Sequence, residues 1–148
     1  MLKNGITLGK CIEKIYYSKC KKIADKHDVS VTEVAILNFL HNNPDSNTAK
    51  DFALFAHLSK SSVSEAIDSL TKKGFIVGKQ DEADRRYIHL EIQESARQVV
   101  EDALIIQQEF VDIVLNDFSK DEAKLLESLL DRVAENIKNA SKDLEKKI

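Results

Sequence analysis

Residues 59–92 read S-K-S-S-V-S-E-A-I-D-S-L-T-K-K-G-F-I-V-G-K-Q-D-E-A-D-R-R-Y-I-H-L-E-I, and their punctuation decides the fold. Ser59 is placed as a helix cap, since its hydroxyl can accept from the exposed N–H groups of the first turn. Val63, Ile67 and Leu70 mark the inner face of a helix over residues 60–73. Ser61, Ser62, Ser64, Glu65 and Asp68 fall on its remaining surface. Gly74 suits the left-handed residue that ends such a helix. Phe75-Ile76-Val77 is β-prone, and Ile88, Leu90 and Ile92 alternate with Tyr87, His89 and Glu91 as a half-buried strand does. The two runs make a hairpin whose tip, Asp81-Glu82-Ala83-Asp84-Arg85-Arg86, is charged.

Upstream, Thr48-Ala49-Lys50-Asp51 is a capping box with Asp in place of the usual Glu. It opens a short helix through about His57, carrying Phe52, Ala53, Phe55 and Ala56. The turn His57-Leu58-Ser59 then joins two helices as in a helix-turn-helix. A further capping box, Ser30-Val31-Thr32-Glu33, starts a helix with Val34, Leu37 and Leu40 on its apolar face. That helix stops at Asn42-Asn43-Pro44, because proline disfavours helix in the residue before it. Leu8, Ile12, Ile15, Tyr16 and Ile23 predict an amphipathic helix over residues 7–26.

Downstream, one long helix is expected over about 94–116. A second starts with the capping box Ser119-Lys120-Asp121-Glu122. Its stripe Leu126, Leu130, Val133, Ile137, Ala140 and Leu144 is spaced 4, 3, 4, 3, 4, a heptad seam. Such a seam is longer than a small head needs, so a partner helix from a second copy is expected.

A chain of 148 residues is most simply one domain, burying about two-thirds of its unfolded surface. With one Pro and four Gly it leaves little room for a turn-rich all-β fold. No run approaches the ~18 apolar residues that span a membrane, and M-L-K-N-G-I-T-L-G-K lacks a signal-peptide core. A cytoplasmic protein is expected. The net charge of −3 is unevenly spread. Residues 50–90 hold 7 basic and 6 acidic side chains, whereas 91–148 hold 8 and 14. Acidity is therefore concentrated away from the 59–92 stretch, and a phosphate-binding surface needs only local positive charge.

This order of elements resembles the MarR family of bacterial winged helix-turn-helix transcriptional regulators over essentially the whole chain. The most specific match is S-S-V-S-E-A-I-D-S-L-T-K-K-G-F-I followed by D-E-A-D-R-R. The resemblance implies a mainly α fold with a small β-wing. Its head would cover about 30–92, and its long dimerisation helices about 1–27 and 93–148, all within one unit over 1–148. It implies double-stranded DNA as partner, through a pseudo-palindromic operator bound by a homodimer, and a repressor released by a small-molecule effector. It puts Ser61, Ser62 and Ser64 where the recognition helix meets DNA, Arg86 where the wing enters the minor groove, and Asp84 where a carboxylate holds that arginine. Lys60, Lys72, Lys73, Lys79 and Arg85 are the expected phosphate contacts. Glu65 departs from the family pattern: an acid facing phosphate repels it, although Glu can accept from cytosine N4. The junction Ile92-Gln93-Glu94-Ser95-Ala96 departs too, lacking the usual Leu-Thr-x-x-Gly cap.

Other readings stand beside these. Asp84 and Arg86 could be a solvated surface ion pair, and the serines simply poor helix formers on an exposed face. Ile12, Tyr16, Ile23 and Phe39 are candidates for lining an effector pocket and equally for the core. Cys11 and Cys20 lie about 180° apart around one helix and ~13 Å apart along it, so they cannot bridge within it. They read as small buried hydrophobes, while the resemblance makes each a candidate for thiol-based peroxide sensing. His27, His41, His57 and His89 show no metal-ligand spacing, and no cofactor is implied. No nucleophilic triad or phosphate loop stands out, so an enzyme is not expected. The alternative function is a winged-helix ligand-binding or protein-interaction module without DNA binding.

Overall fold

The computed structural model describes residues 2–56 and 58–145, with side chains for 7–56, 58–137 and 139. His57, and the side chains of Ala140 and Leu144 in the expected seam, lie outside the described residues. The elements run α1 (Leu2–His27), α2 (Val31–Asn42), α3 (Ala49–Ala56), α4 (Lys60–Lys72), β1 (Ile76–Gln80), β2 (Ile88–Ile92), a 3₁₀ turn (Glu94–Ala96), α5 (Arg97–Val114) and α6 (Lys120–Glu145). The chain divides into two compact units between Phe110 and Val111.

In the first unit the predicted caps are formed. The Ser30 hydroxyl accepts from the Glu33 N–H, and the Glu33 carboxylate accepts in return from the Ser30 N–H. Thr48 and Asp51 make the same reciprocal pair, as Asp is one methylene short of Glu yet still reaches. Ser59 accepts from the Ser62 N–H and opens α4. At the other end Lys73 is the cap, and Gly74 takes the left-handed conformation, φ +71°. The Phe75 N–H then closes on the Leu70 carbonyl, which turns the chain into β1.

β1 and β2 pair antiparallel, with Ile76 opposite Ile92, Gly78 opposite Leu90 and Gln80 opposite Ile88. The ribbon is anchored by the segment before α3: Thr48 bridges His89, and the Leu90 N–H donates to the Asn47 carbonyl. Only Ile76 and Leu90 of the ribbon are buried, so the pleat presses its root into the core and leaves its tip in solvent. Phe52, Ile36, Leu37, Leu70, Val34, Val63 and Val99 are completely enclosed. Cys20, Ile23 and Ala24 of α1 join the same core. The first helix, expected within the dimerisation region, is therefore also part of the head's packing.

Gln93 supplies no side-chain cap to the following turn, as the departure in that segment predicts. The junction is held instead by the Gln93 N–H on the Phe75 carbonyl and the Ser95 hydroxyl on the Gly74 carbonyl. On α5, Asp102 receives Lys26 and His27 of α1, each at 2.6 Å. Lys19 meets Glu109 at 2.7 Å, and the Tyr16 ring lies edge-on to Phe110 at 5.4 Å.

In the second unit α6 starts from the capping box expected, Ser119 with Glu122. Of its heptad seam Leu126 is half-buried, while Leu130 and Val133 are half or more exposed.

Candidate nucleic-acid interface

The inner face of α4 is fixed by Val63, Ala66 and Leu70, all buried. At 100° per residue, the opposite face is centred on Ser61, Glu65, Asp68 and Lys72. All four are exposed. Ser62 and Ser69 flank this stripe on one side, and Lys60, Ser64 and Thr71 on the other. The serines expected to meet DNA are therefore on the surface, but Ser61 and Ser62 are also tied to the cap. Their hydroxyls lie 3.0 and 2.8 Å from that of Ser59.

The wing tip is organised by two carboxylates. Asp81 accepts from the N–H groups of Ala83 and Asp84 and faces His89 Nε2 at 3.1 Å. The Asp84 N–H, then His89 and the Ala83 N–H, hold its carboxyl below the ordinary range. Asp84 takes Arg86 in a forked pair, Nε at 3.0 Å and Nη2 at 2.7 Å, and accepts from the Arg86 N–H as well. This guanidinium, with help from that N–H, lowers the Asp84 carboxyl. The Arg86 side chain remains 87% exposed. A charged fork of this kind, aimed by a short acid and kept in solvent, is suited to an acceptor-rich groove.

The expected phosphate contacts separate into two groups. Lys60, Lys72 and Arg85 are exposed. Lys79 is exposed but pairs with Glu91 across the ribbon at 2.6 Å. Lys73 is held between Glu33 and the Asp28 carbonyl, so it braces α4 against the start of α2.

Of the expected effector lining, Ile23 and Phe39 are core residues. The Phe39 ring lies edge-on to Phe52 and tilted against Phe55, at centroid distances of 5.5 and 4.9 Å. Ile12 and Tyr16 are half-buried. Burial pushes the Tyr16 phenol up to about 12, with Cys20 adding to the rise and the Asn38 amide opposing it. Burial also raises the Cys20 thiol, the opposite of an activated thiolate. Cys11 is exposed.

Two features escape sequence reading. Asn47 Oδ1 meets His89 Nδ1 at 2.5 Å, so an Asn47–His89–Asp81 chain ties the wing tip to the loop before α3. No local pattern pairs residues 42 positions apart. The other is an apolar recess of about 460 Å³ between α3 and α4, lined by Ala53, Leu54, Leu58 and Val63 together with Lys60 and Ser64. The exposed Leu54 and Leu58 are its only sequence trace.

Residues 27–86 match the family model for the MarR family. A search among curated proteins gives no match. Among solved structures, the chain is similar to a crystal structure of MarR at 23% identity, covering 93% of this chain and 92% of that one, with a TM-score of 0.75. It is similar to a putative MarR family regulator from Listeria monocytogenes complexed with 26mer DNA at 17% identity, covering 95% and 90%, TM-score 0.73. It is also similar to MepR of S. aureus, in a MepR–DNA complex, at 19% identity, covering 88% and 94%, TM-score 0.69. At these identities the likenesses establish the winged-helix fold alone. Over residues 27–86 the chain is similar to the MarR family.

Proposed function

We propose that this chain is a sequence-specific DNA-binding transcriptional regulator, with residues of about 30–92 as its DNA-binding head. The observation that carries this reading is the pairing of Asp84 with a solvent-facing Arg86 on the wing, beside a recognition helix with an uncovered polar face. Two structures of the same fold hold DNA. The regulator acts as a homodimeric repressor in the cytoplasm. Support for the dimer comes from α6, where Leu125, Leu129, Leu130 and Val133 are all exposed, an apolar stripe that a second copy would cover. Two heads held about 34 Å apart would enter successive major grooves of a pseudo-palindromic operator. A small-molecule effector releases it. The recess between α3 and α4 supports this step, because an occupant there would touch Lys60 and Ser64, which border the DNA-facing stripe.

The test is a gel shift against the chain's own upstream DNA at two salt concentrations. Binding to that DNA over competitor, weakening as salt rises, is the expected result. Equal affinity for unrelated DNA overturns the sequence-specific reading.

A further inference from the structure

Glu65 stands at the centre of the outward face of α4, one turn beyond Ser61, one before Asp68 and two before Lys72. Among the described residues its carboxylate has no hydrogen-bond or ion-pair partner. On a helix that docks against phosphates, an unpaired acid costs affinity through repulsion and loss of water unless it accepts a hydrogen bond in the groove. We propose that Glu65 is a specificity-determining residue that reads a cytosine in each half-site through its N4 amino group. This inference rests on the DNA-binding reading above and deepens it.

The donor pattern of the major groove narrows the choice. Guanine presents two acceptors, N7 and O6, and thymine presents O4 beside a methyl group. All of these repel or ignore a carboxylate. Adenine has a donor at N6 but an acceptor at N7 next to it, which suits an amide better than an acid. Cytosine N4 is a donor without an adjacent acceptor on the same base. Glu65 therefore rewards one base and penalises the others, which is how a weakly charged helix gains discrimination.

Position along the helix supports Glu65 over Asp68. Residues near the N-terminus of a recognition helix reach base edges, and Glu65 is in the second turn whereas Asp68 is in the third. Ser61, on the same stripe, has its hydroxyl engaged with the cap. Glu65 also has the longer side chain. It is the strongest candidate on this face for reaching a base edge.

The test is selection from random duplex DNA with the full chain and its E65A and E65Q variants, followed by affinity measurements on single-base substitutions of the selected site. The parent is expected to enrich a symmetric pair of C·G positions. Replacing that cytosine by thymine should weaken the parent by about tenfold and leave E65A unaffected. In E65Q the preference should move from cytosine to adenine, since Gln can bond adenine N6 and N7 together. If parent and E65A select the same bases at every position, or E65A merely binds all sequences more tightly, Glu65 is not a reader and the assignment is overturned. If the parent enriches no sequence, the DNA-binding reading falls, and this assignment falls with it.

Discussion

The Lys73 ammonium bridges both carboxylate oxygens of the buried Glu33, at 3.0 and 3.2 Å, while also donating to the Asp28 carbonyl. One side chain thus closes the capping box of α2 and ties it to the end of α4. Burial alone would raise the Glu33 carboxyl, but the Ser30 N–H, Lys73 and the Ser69 hydroxyl together bring it below its ordinary value. E33A should cost about 2–3 kcal/mol, from a lost cap and from the unpaired groups left behind. E33Q should cost less, because its amide can still accept from Ser30. Urea midpoints read this order, and equal midpoints for E33A and parent would remove the brace from the argument.

Arg86 is expected to contribute to affinity without contributing to the fold. R86A should weaken specific DNA binding by about tenfold or more, and lower the slope of log affinity against log salt by about 1. Its dimerisation and melting temperature should stay at parental values, since the side chain is almost wholly in solvent. D84N should give a smaller loss, because the arginine stays but is no longer held by a charged fork. Unchanged binding by R86A would remove the wing from the interface.

The wing ribbon has one position that admits only glycine as packed. A Cβ on Gly78 would lie 2.8 Å from Ile88 Cγ2. G78A should therefore destabilise by about 1 kcal/mol, and the double variant G78A/I88A should recover most of that loss. Thermal melts of the three proteins decide it. A G78A protein as stable as the parent would mean that Ile88 turns aside without cost.

Stability toward acid should depend on Asp102. Lys26 first, and then His27, hold its carboxyl down to about 2 in the folded chain, below the ordinary ~3.9. A depressed carboxylate contributes stability above its unfolded value, and that contribution is lost as pH falls through the folded value. D102N should thus be less stable than the parent at pH 7. The gap should close between about pH 4 and pH 2. A gap that stays constant over this window would show that Asp102 packs without stabilising charge.

Dimerisation through α6 is tested by placing charge on its exposed apolar stripe. L130E/V133E should shift the sedimentation coefficient to that of a monomer at micromolar concentration, with the head's melting retained. A parent that is already monomeric under those conditions would remove the α6 argument and leave operator binding to single heads.

Much of this molecule was legible in order. Ser30, Thr48, Ser59 and Ser119 each announced a helix, because capping is local chemistry set by residues three apart. Gly74 and Pro44 announced where helices stop, and the alternation around Leu90 placed that residue inward, although Ile88 on the same face is exposed. The faces of α4 follow from its 3.6-residue period alone, so the exposure of Ser61, Ser64 and Glu65 needed no coordinates. What only the tertiary structure decided are the pairings between distant residues. Lys73 reads as a phosphate contact in sequence, and the fold brings Glu33, 40 positions earlier, to its ammonium. Phe39 and Ile23 looked equally suited to a pocket or a core, and the fold buries both. Asn47, His89 and Asp81 carry no shared pattern, yet they join the wing tip to the helix-turn-helix. Local rules fix each element and its faces. Packing then determines which polar groups on those faces are satisfied within the fold and which, like Glu65, are left facing solvent.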